Sequence, residues 1–306
     1  MGGSGSGYGY RSISPEAERE LDQQRAKENE RLNTEVNQYL GELLAVLNSR
    51  DPKLVNDRLD ALVDSLGDSV EIDKMLLGGS VAKHTAVDGL SDVDAVVVLD
   101  REDLKDKSPD EVRDEFYSEL DKKLDRSDVK AVQVGDMAVT IEYRDGMEIQ
   151  LIPAIQMGNK IKIGLGDHSD WVEVNPKKFQ SALTNANKKM NNSLVPAIKL
   201  LKSINADMPQ QKQLKSYHIE ALAVDASKSY SGPTTTKEVL IHLVGHASNR
   251  VLRPIKDISG QSKNADEYLG AANDQSRRIM AQGLAGIKRR LEAASTLSQW
   301  KAMFSD

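Results

Sequence analysis

The pattern of apolar and polar positions divides the chain into a first half that reads as helices and strands and a second half that reads as helices alone. From Ser14-Pro15-Glu16 it opens a long helix, with serine at the cap, proline in the first turn and a carboxylate near the positive end. That helix is polar at first and amphipathic to about Asn48, where Val36, Leu40, Leu43, Leu44 and Leu47 recur at helical spacing. Asp51-Pro52 begins a second helix to about residue 66. Apolar Leu76-Leu77 then closes a strand-like run, a short helical turn is expected at about 81–86, and the β-branched run 95–99 suits a buried strand. A capped helix with the stripe Val112, Phe116, Leu120 and Leu124 follows. Strands are predicted over 129–134, 137–143 and 147–152, the last two joined by an Asp145-Gly146 turn and the third ended by Pro153. Residues 158–171 read as a small ribbon or loop near the site.

From Asn175-Pro176 onward the strand signals stop. Helices are predicted at about 176–190, 193–206, 215–226, 237–248 and 267–294, with a polar loop over 257–266. The predicted fold class is α/β in the α+β sense, with a helix-flanked mixed sheet over 15–174 and a helical domain over 175–306. A Gly- and Ser-rich segment, 1–14, precedes them and reads as flexible.

Composition narrows this only a little. The 306 residues are 39% hydrophobic and 29% charged, as in an ordinary soluble domain with exposed helices. No apolar run approaches the length of a membrane span, and a cytoplasmic location is expected. The absence of cysteine excludes disulfides and thiolate metal sites. A formal charge of -6 gives no overall field to attract nucleic acid, so no DNA or RNA is expected to be required.

The chemistry concentrates between Leu76 and Leu99. Gly78-Gly79 stand where a backbone must approach a ligand closely, and Ser80 adds a hydroxyl beside amides that a following helical turn leaves unpaired, an arrangement suited to phosphate. Eleven residues after Ser80 come Asp92-Val93-Asp94. Carboxylates two apart on a strand share a face and repel unless a cation joins them, and hard oxygen ligands suit Mg²⁺ or Mn²⁺.

Gly79-Ser80, eleven residues, then Asp92-Val93-Asp94 resembles the signature of the DNA polymerase beta nucleotidyltransferase superfamily. Further on, the KLLK run holding Lys199 and Lys202, followed by KSYHIEAL at 215–222, resembles the nucleotide-holding half of the cyclic oligonucleotide synthases, relatives of animal cyclic GMP-AMP synthase and oligoadenylate synthase. The resemblance spans about residues 70 to 225. It implies a polymerase-beta-like nucleotidyltransferase core with a long N-terminal helix and a C-terminal helical domain. It implies that NTPs, ATP among them, are condensed with loss of pyrophosphate into a cyclic di- or trinucleotide. In anti-phage signalling such a product acts on a separate effector, and there is room for a regulatory protein partner.

Residue by residue, the resemblance implies that Asp92 and Asp94 hold two Mg²⁺ or Mn²⁺ ions. Gly79, Ser80, Lys202 and Ser216 would hold donor phosphates, and Tyr217 would stack on a base. Lys199 lies three residues before Lys202 and is carried as a further nucleotide-binding candidate. Family members place a third carboxylate three positions before the proline of the later strand, where this chain has Gln150. Glu148, on the same strand face but about 6 to 7 Å further along, is the expected third metal ligand and catalytic residue. Gln150 is left to donate to a phosphate or hold water. Two alternatives stay open: a linear-product or tRNA-tailing transferase, and a non-catalytic nucleotide-binding module.

Overall fold

In the computed structural model, residues 14–304 are described apart from 50, 67–71, 78, 89–91, 100–101, 105, 159 and 165–169. The flexible segment expected at the N-terminus, and Gly78 of the predicted phosphate turn, lie outside the described residues. Helix α1, Pro15–Leu47, begins where the sequence places it, with the Ser14 hydroxyl accepting from the Ala17 amide at 3.2 Å. Its first half is exposed, whereas Val36 and Leu40 are fully buried, so burial starts where the apolar stripe does. They join the core of the helical half of the chain, although α1 precedes the sheet in sequence. Helix α2, Pro52–Leu66, packs on the sheet instead.

Among the described residues the sheet has seven strands: β1 (Ile72–Leu77), β2 (Val93–Leu99), β3 (Val129–Val134), β4 (Val139–Tyr143), β5 (Glu148–Met157), β6 (Lys160–Gly164) and β7 (Trp171–Val174). The four-residue helix α3, Gly79–Ala82, follows β1, and α4, Pro109–Lys123, follows β2 under a Ser108/Glu111 capping box. The strand order is β1-β2-β5-β4-β3, with β6 paired to β5 and β7 to β6. Among the described residues only β2 and β5 pair in parallel, which sets Asp94 beside Gln150.

Alternation sorts β2 between two layers. Val93, Ala95, Val97 and Leu99 enter a core with α2 and α4, while Asp94, Val96 and Val98 face the other way. The predicted end of β5 at Pro153 does not hold, because the strand continues to Met157. Pro153 lies between Leu151, the last residue paired with β4, and Ala154, the first paired with β6. On that side no strand is present to miss the absent N–H.

The helical half comprises α5 (Pro176–Lys189), α6 (Leu194–Ala206), α7 (Ser216–Ala226), α8 (Thr236–Arg250), α9 (Gln275–Ala293) and α10 (Leu297–Lys301). The single helix expected over 267–294 is broken. Glu267–Leu269 form one 3-10 turn, and Gly270 and Asn273 follow at positive φ (73° and 62°), which a continuing helix cannot accommodate. No helix among the described residues is long and apolar enough to cross a membrane.

Candidate active site

The sheet half and the helical half meet at a cavity of about 260 Å³ lined by Asp94, Lys83, Phe179, Tyr217, Ser259 and Gln261, with Val96, Ile152 and Ile163 behind them. Asp94 reaches it because it shares the cleft face of β2 with Val96. Asp92 immediately precedes the strand and is exposed. Burial, and next the charge of Asp92, push the Asp94 carboxyl up from 3.8 to about 6, against the partial relief that Lys83 and Lys202 provide.

The register puts Gln150 directly beside Asp94, and its amide Nε2 donates to Asp92 Oδ2 at 2.9 Å. Glu148 pairs across β4 with Glu142. Burial and the charges of Asp92 and Glu142 raise its pKa, so the Asp92 charge reaches it. Among the described residues, however, no three acidic or histidine side chains come together as a metal-binding group. Glu148 stands two residues before Gln150 on β5, so it is Gln150 that the register sets beside Asp94, while Glu148 stands opposite Glu142. Asp92 and Asp94 by themselves fit a hard divalent cation, since their mutual repulsion is what such an ion relieves and their donors are all oxygen.

The opposite wall comes from α5 and α7. Tyr217 packs against Phe179 with ring centroids 4.8 Å apart, and the Lys83 ammonium lies 4.9 Å from the Phe179 centroid and 5.0 Å from that of Tyr217. The Tyr217 hydroxyl donates to Asp257, a buried carboxylate that also accepts from the Ser259 and Ser262 amides at 2.7 and 3.0 Å. Burial and this bond raise the tyrosine pKa. The polar loop 257–266 is thus anchored on Tyr217, and it delivers Ser259 and Gln261 to the cavity.

Lys202 is 4% exposed and donates to Glu220 Oε1 at 2.8 Å and to the Thr85 carbonyl at 3.0 Å. Together with Ser216 it lines a neighbouring cleft of about 600 Å³ that also includes Lys215 and Tyr268. Ser80 is buried at 7% exposure, and its carbonyl accepts from the Thr85 amide at 2.9 Å. Gly79 starts α3, so the phosphate turn is helical earlier than expected.

Lys199 faces an adjoining cavity. It donates to Asn48 and lines a space of about 590 Å³ near the start of α2 that shares Leu77, Ala82 and Gln180 with the Asp94 cavity. A three-residue step on α6 turns one lysine inward and sends the other toward the junction of α1 and α2. His218 is fully buried beside Tyr268, with its Nδ1 3.0 Å from the Tyr268 hydroxyl, and burial lowers it to about 4. It is a packed group, with its Nε2 3.6 Å from the Asp266 carboxylate, which Arg277 already pairs.

Sequence reasoning passed over Lys83, Thr85, Phe179 and Glu220. Glu220 lies one helical turn beyond Ser216, on the face of α7 that Lys202 meets, which is a signal spacing can carry. Lys83 has no periodic signal, because only the tertiary fold brings its turn to Tyr217.

The comparisons with known proteins agree with this geometry. The family model described as Second Messenger Oligonucleotide or Dinucleotide Synthetase domain matches residues 35–187. Among solved structures, the Bradyrhizobium diazoefficiens CD-NTase CdnG in complex with GTP superposes with a TM-score of 0.67 at 16% identity, over 85% of this chain and 92% of that one. The E. coli CdnC structure with ATP gives 0.64 at 16% identity, over 83% and 91%. Vibrio cholerae DncV cyclic AMP-GMP synthase gives 0.60 at 12% identity, over 95% and 90%. At these identities the likeness shows the fold. No curated protein sequence matches the chain.

Proposed function

The chain belongs to the Second Messenger Oligonucleotide or Dinucleotide Synthetase family and is a nucleotidyltransferase; on that premise we propose that it condenses NTPs into a cyclic di- or trinucleotide that signals in anti-phage defence. The observation that carries the site assignment is Asp94, which faces Tyr217 and Lys83 across one cleft and feels the charge of Asp92 beside it. GTP and ATP are named in the CdnG and CdnC structures, which supports NTPs as the substrate class here.

In this reading Asp92 and Asp94 would hold Mg²⁺ or Mn²⁺, which when bound supplies charge neutralisation at the reacting phosphate and lowers the pKa of an attacking hydroxyl. Gln150 holds Asp92 in place through its amide. A 2′ or 3′ hydroxyl oxygen attacks the α-phosphorus, the bond to the bridging oxygen of the β-phosphate breaks, and pyrophosphate and one proton leave. A second transfer closes the ring. Ser80, Lys202 and Ser216 would bind the departing phosphates, while the Tyr217 ring and the loop bearing Ser259 and Gln261 bound the base and exclude water. Most of the rate enhancement is then positioning and electrostatics.

The test is incubation with all four labelled NTPs and Mg²⁺ or Mn²⁺, followed by phosphatase and identification of what survives. A phosphatase-resistant cyclic product is expected. Linear oligomers alone would replace this reading with the tailing alternative, and no conversion with any NTP would overturn it.

A further inference from the structure

Glu220 is a carboxylate 1% exposed at the junction of the two halves, and it does not belong to the metal-binding pair. Its Oε1 accepts from Lys202 at 2.8 Å and from the Thr85 hydroxyl at 2.5 Å, and its Oε2 pairs with Lys83. Three chain segments therefore converge on one side chain: the turn after α3, which carries Lys83 and Thr85, helix α6 through Lys202, and α7, which carries Glu220 itself. Burial alone would push this carboxyl up, yet the charges of Lys202 and Lys83 pull it below its ordinary value. Both ammonium groups border ligand-sized cavities, Lys83 the one with Asp94 and Tyr217, Lys202 the one with Ser216.

We propose that Glu220 is a positioning residue for the triphosphate: it touches no nucleotide, but it fixes where Lys83 and Lys202 stand and ties the Ser80 turn to α6 and α7. The inference rests on the nucleotidyltransferase reading above. It makes a prediction opposite in sign to simple electrostatics. A buried anion beside a phosphate site repels phosphate, so its neutralisation by Glu220→Gln would by direct charge alone strengthen NTP binding. A glutamine, however, has one acceptor oxygen and one donor nitrogen in place of two acceptors. It satisfies one lysine and presents N–H to the other, leaving two neighbouring ammonium groups without their counter-charge, and the cluster opens.

The experiment measures binding of the α,β-methylene analogues of the four NTPs, and of the corresponding monophosphates, to wild type, Glu220→Gln and Glu220→Asp. For whichever base wild type prefers, Glu220→Gln is expected to weaken triphosphate binding about tenfold, the size of one lost charge-assisted contact. Monophosphate binding is expected to change less than about twofold, and Glu220→Asp, which keeps the charge on a shorter arm, to fall between. In turnover the loss should appear in KM rather than kcat. Equal or tighter triphosphate binding by Glu220→Gln overturns the proposal, as does an equal loss for the monophosphate. Should thermal melting show that Glu220→Gln does not fold, Glu220→Asp decides by the same criteria. Failure of wild type to bind any of the nucleotides would instead overturn the nucleotidyltransferase reading itself.

Discussion

The molecule holds two acidic centres, one on the sheet side of the cleft and one buried behind its helical side, and they handle charge in opposite ways. On the sheet side, Asp94 is pushed up to about 6 because burial and Asp92 both disfavour its ionised form. On the helical side, Glu220 is more deeply buried yet shifted down, because two lysines and a hydroxyl meet it. Desolvation disfavours both charges, and the partners decide the outcome. The Glu220 carboxylate is matched by two ammonium groups, whereas the pair at β2 keeps an excess of negative charge that a bound cation would relieve. One is built to hold the protein's own groups, the other to receive something.

The strongest way to break this contrast is Asp92→Ala combined with Asp94→Ala. Product formation should fall by at least about 10³-fold, while the metal-free protein becomes no less stable, since the removed charges repelled one another. The direction of the pH effect follows from Asp94. Its folded-state pKa, about 6, lies above the ordinary 3.8, so the folded state binds more protons than the unfolded one between these values. Stability of the metal-free wild type should thus fall as pH rises from about 4 to about 6, and the double variant should lose that slope. Thermal melts at several pH values, beside the product assay, check both statements.

A smaller effect sharpens which side chain supports the acid pair. Gln150 donates to Asp92 and stands beside Asp94, whereas Glu148 lies two residues before it on β5, opposite Glu142. We expect Gln150→Ala to lower kcat about tenfold, in line with losing a hydrogen bond to a charged group, and Glu148→Ala to cost less than about threefold. The reverse ranking would assign the third ligand to Glu148 and require β5 to shift register.

Smallest is Tyr217→Phe. The ring contact with Phe179 survives and only the hydroxyl bond to Asp257 is lost, and Asp257 keeps its bonds from Ser259 and Ser262. KM for NTP should rise about two- to fivefold with kcat little changed, as the loop carrying Ser259 and Gln261 loosens. A drop in kcat beyond that would place the hydroxyl in the chemistry.

Much of this architecture was legible from local patterns. The Ser14-Pro15 helix start, the β-branched strand after Asp94 and the onset of an all-helical half each follow from short-range physics: capping, alternation and the 3.6-residue period. Asp92, Asp94, Lys202, Ser216 and Tyr217 came forward as candidates through the resemblance of their motifs to a known family. Pro153 misled, because whether its missing N–H matters depends on which strands flank it, and the break at Gly270 shows the same limit inside a helical stretch.

What only the tertiary structure decided is charge compensation. Asp94, Lys202 and Glu220 are ordinary ionisable residues in the sequence, and nothing local to them sets how deeply each is buried or which opposite charge it meets. Lys83 meets Glu220 across 137 positions of chain and Lys202 meets it across 18, through folding of the sheet against the helices. Lys199, three positions from Lys202, is sent to a different cavity by the same packing. Hydrophobic period and capping act over a few residues and can be read along the chain, whereas desolvation and Coulomb interaction act through space and exist only once the halves have closed on each other.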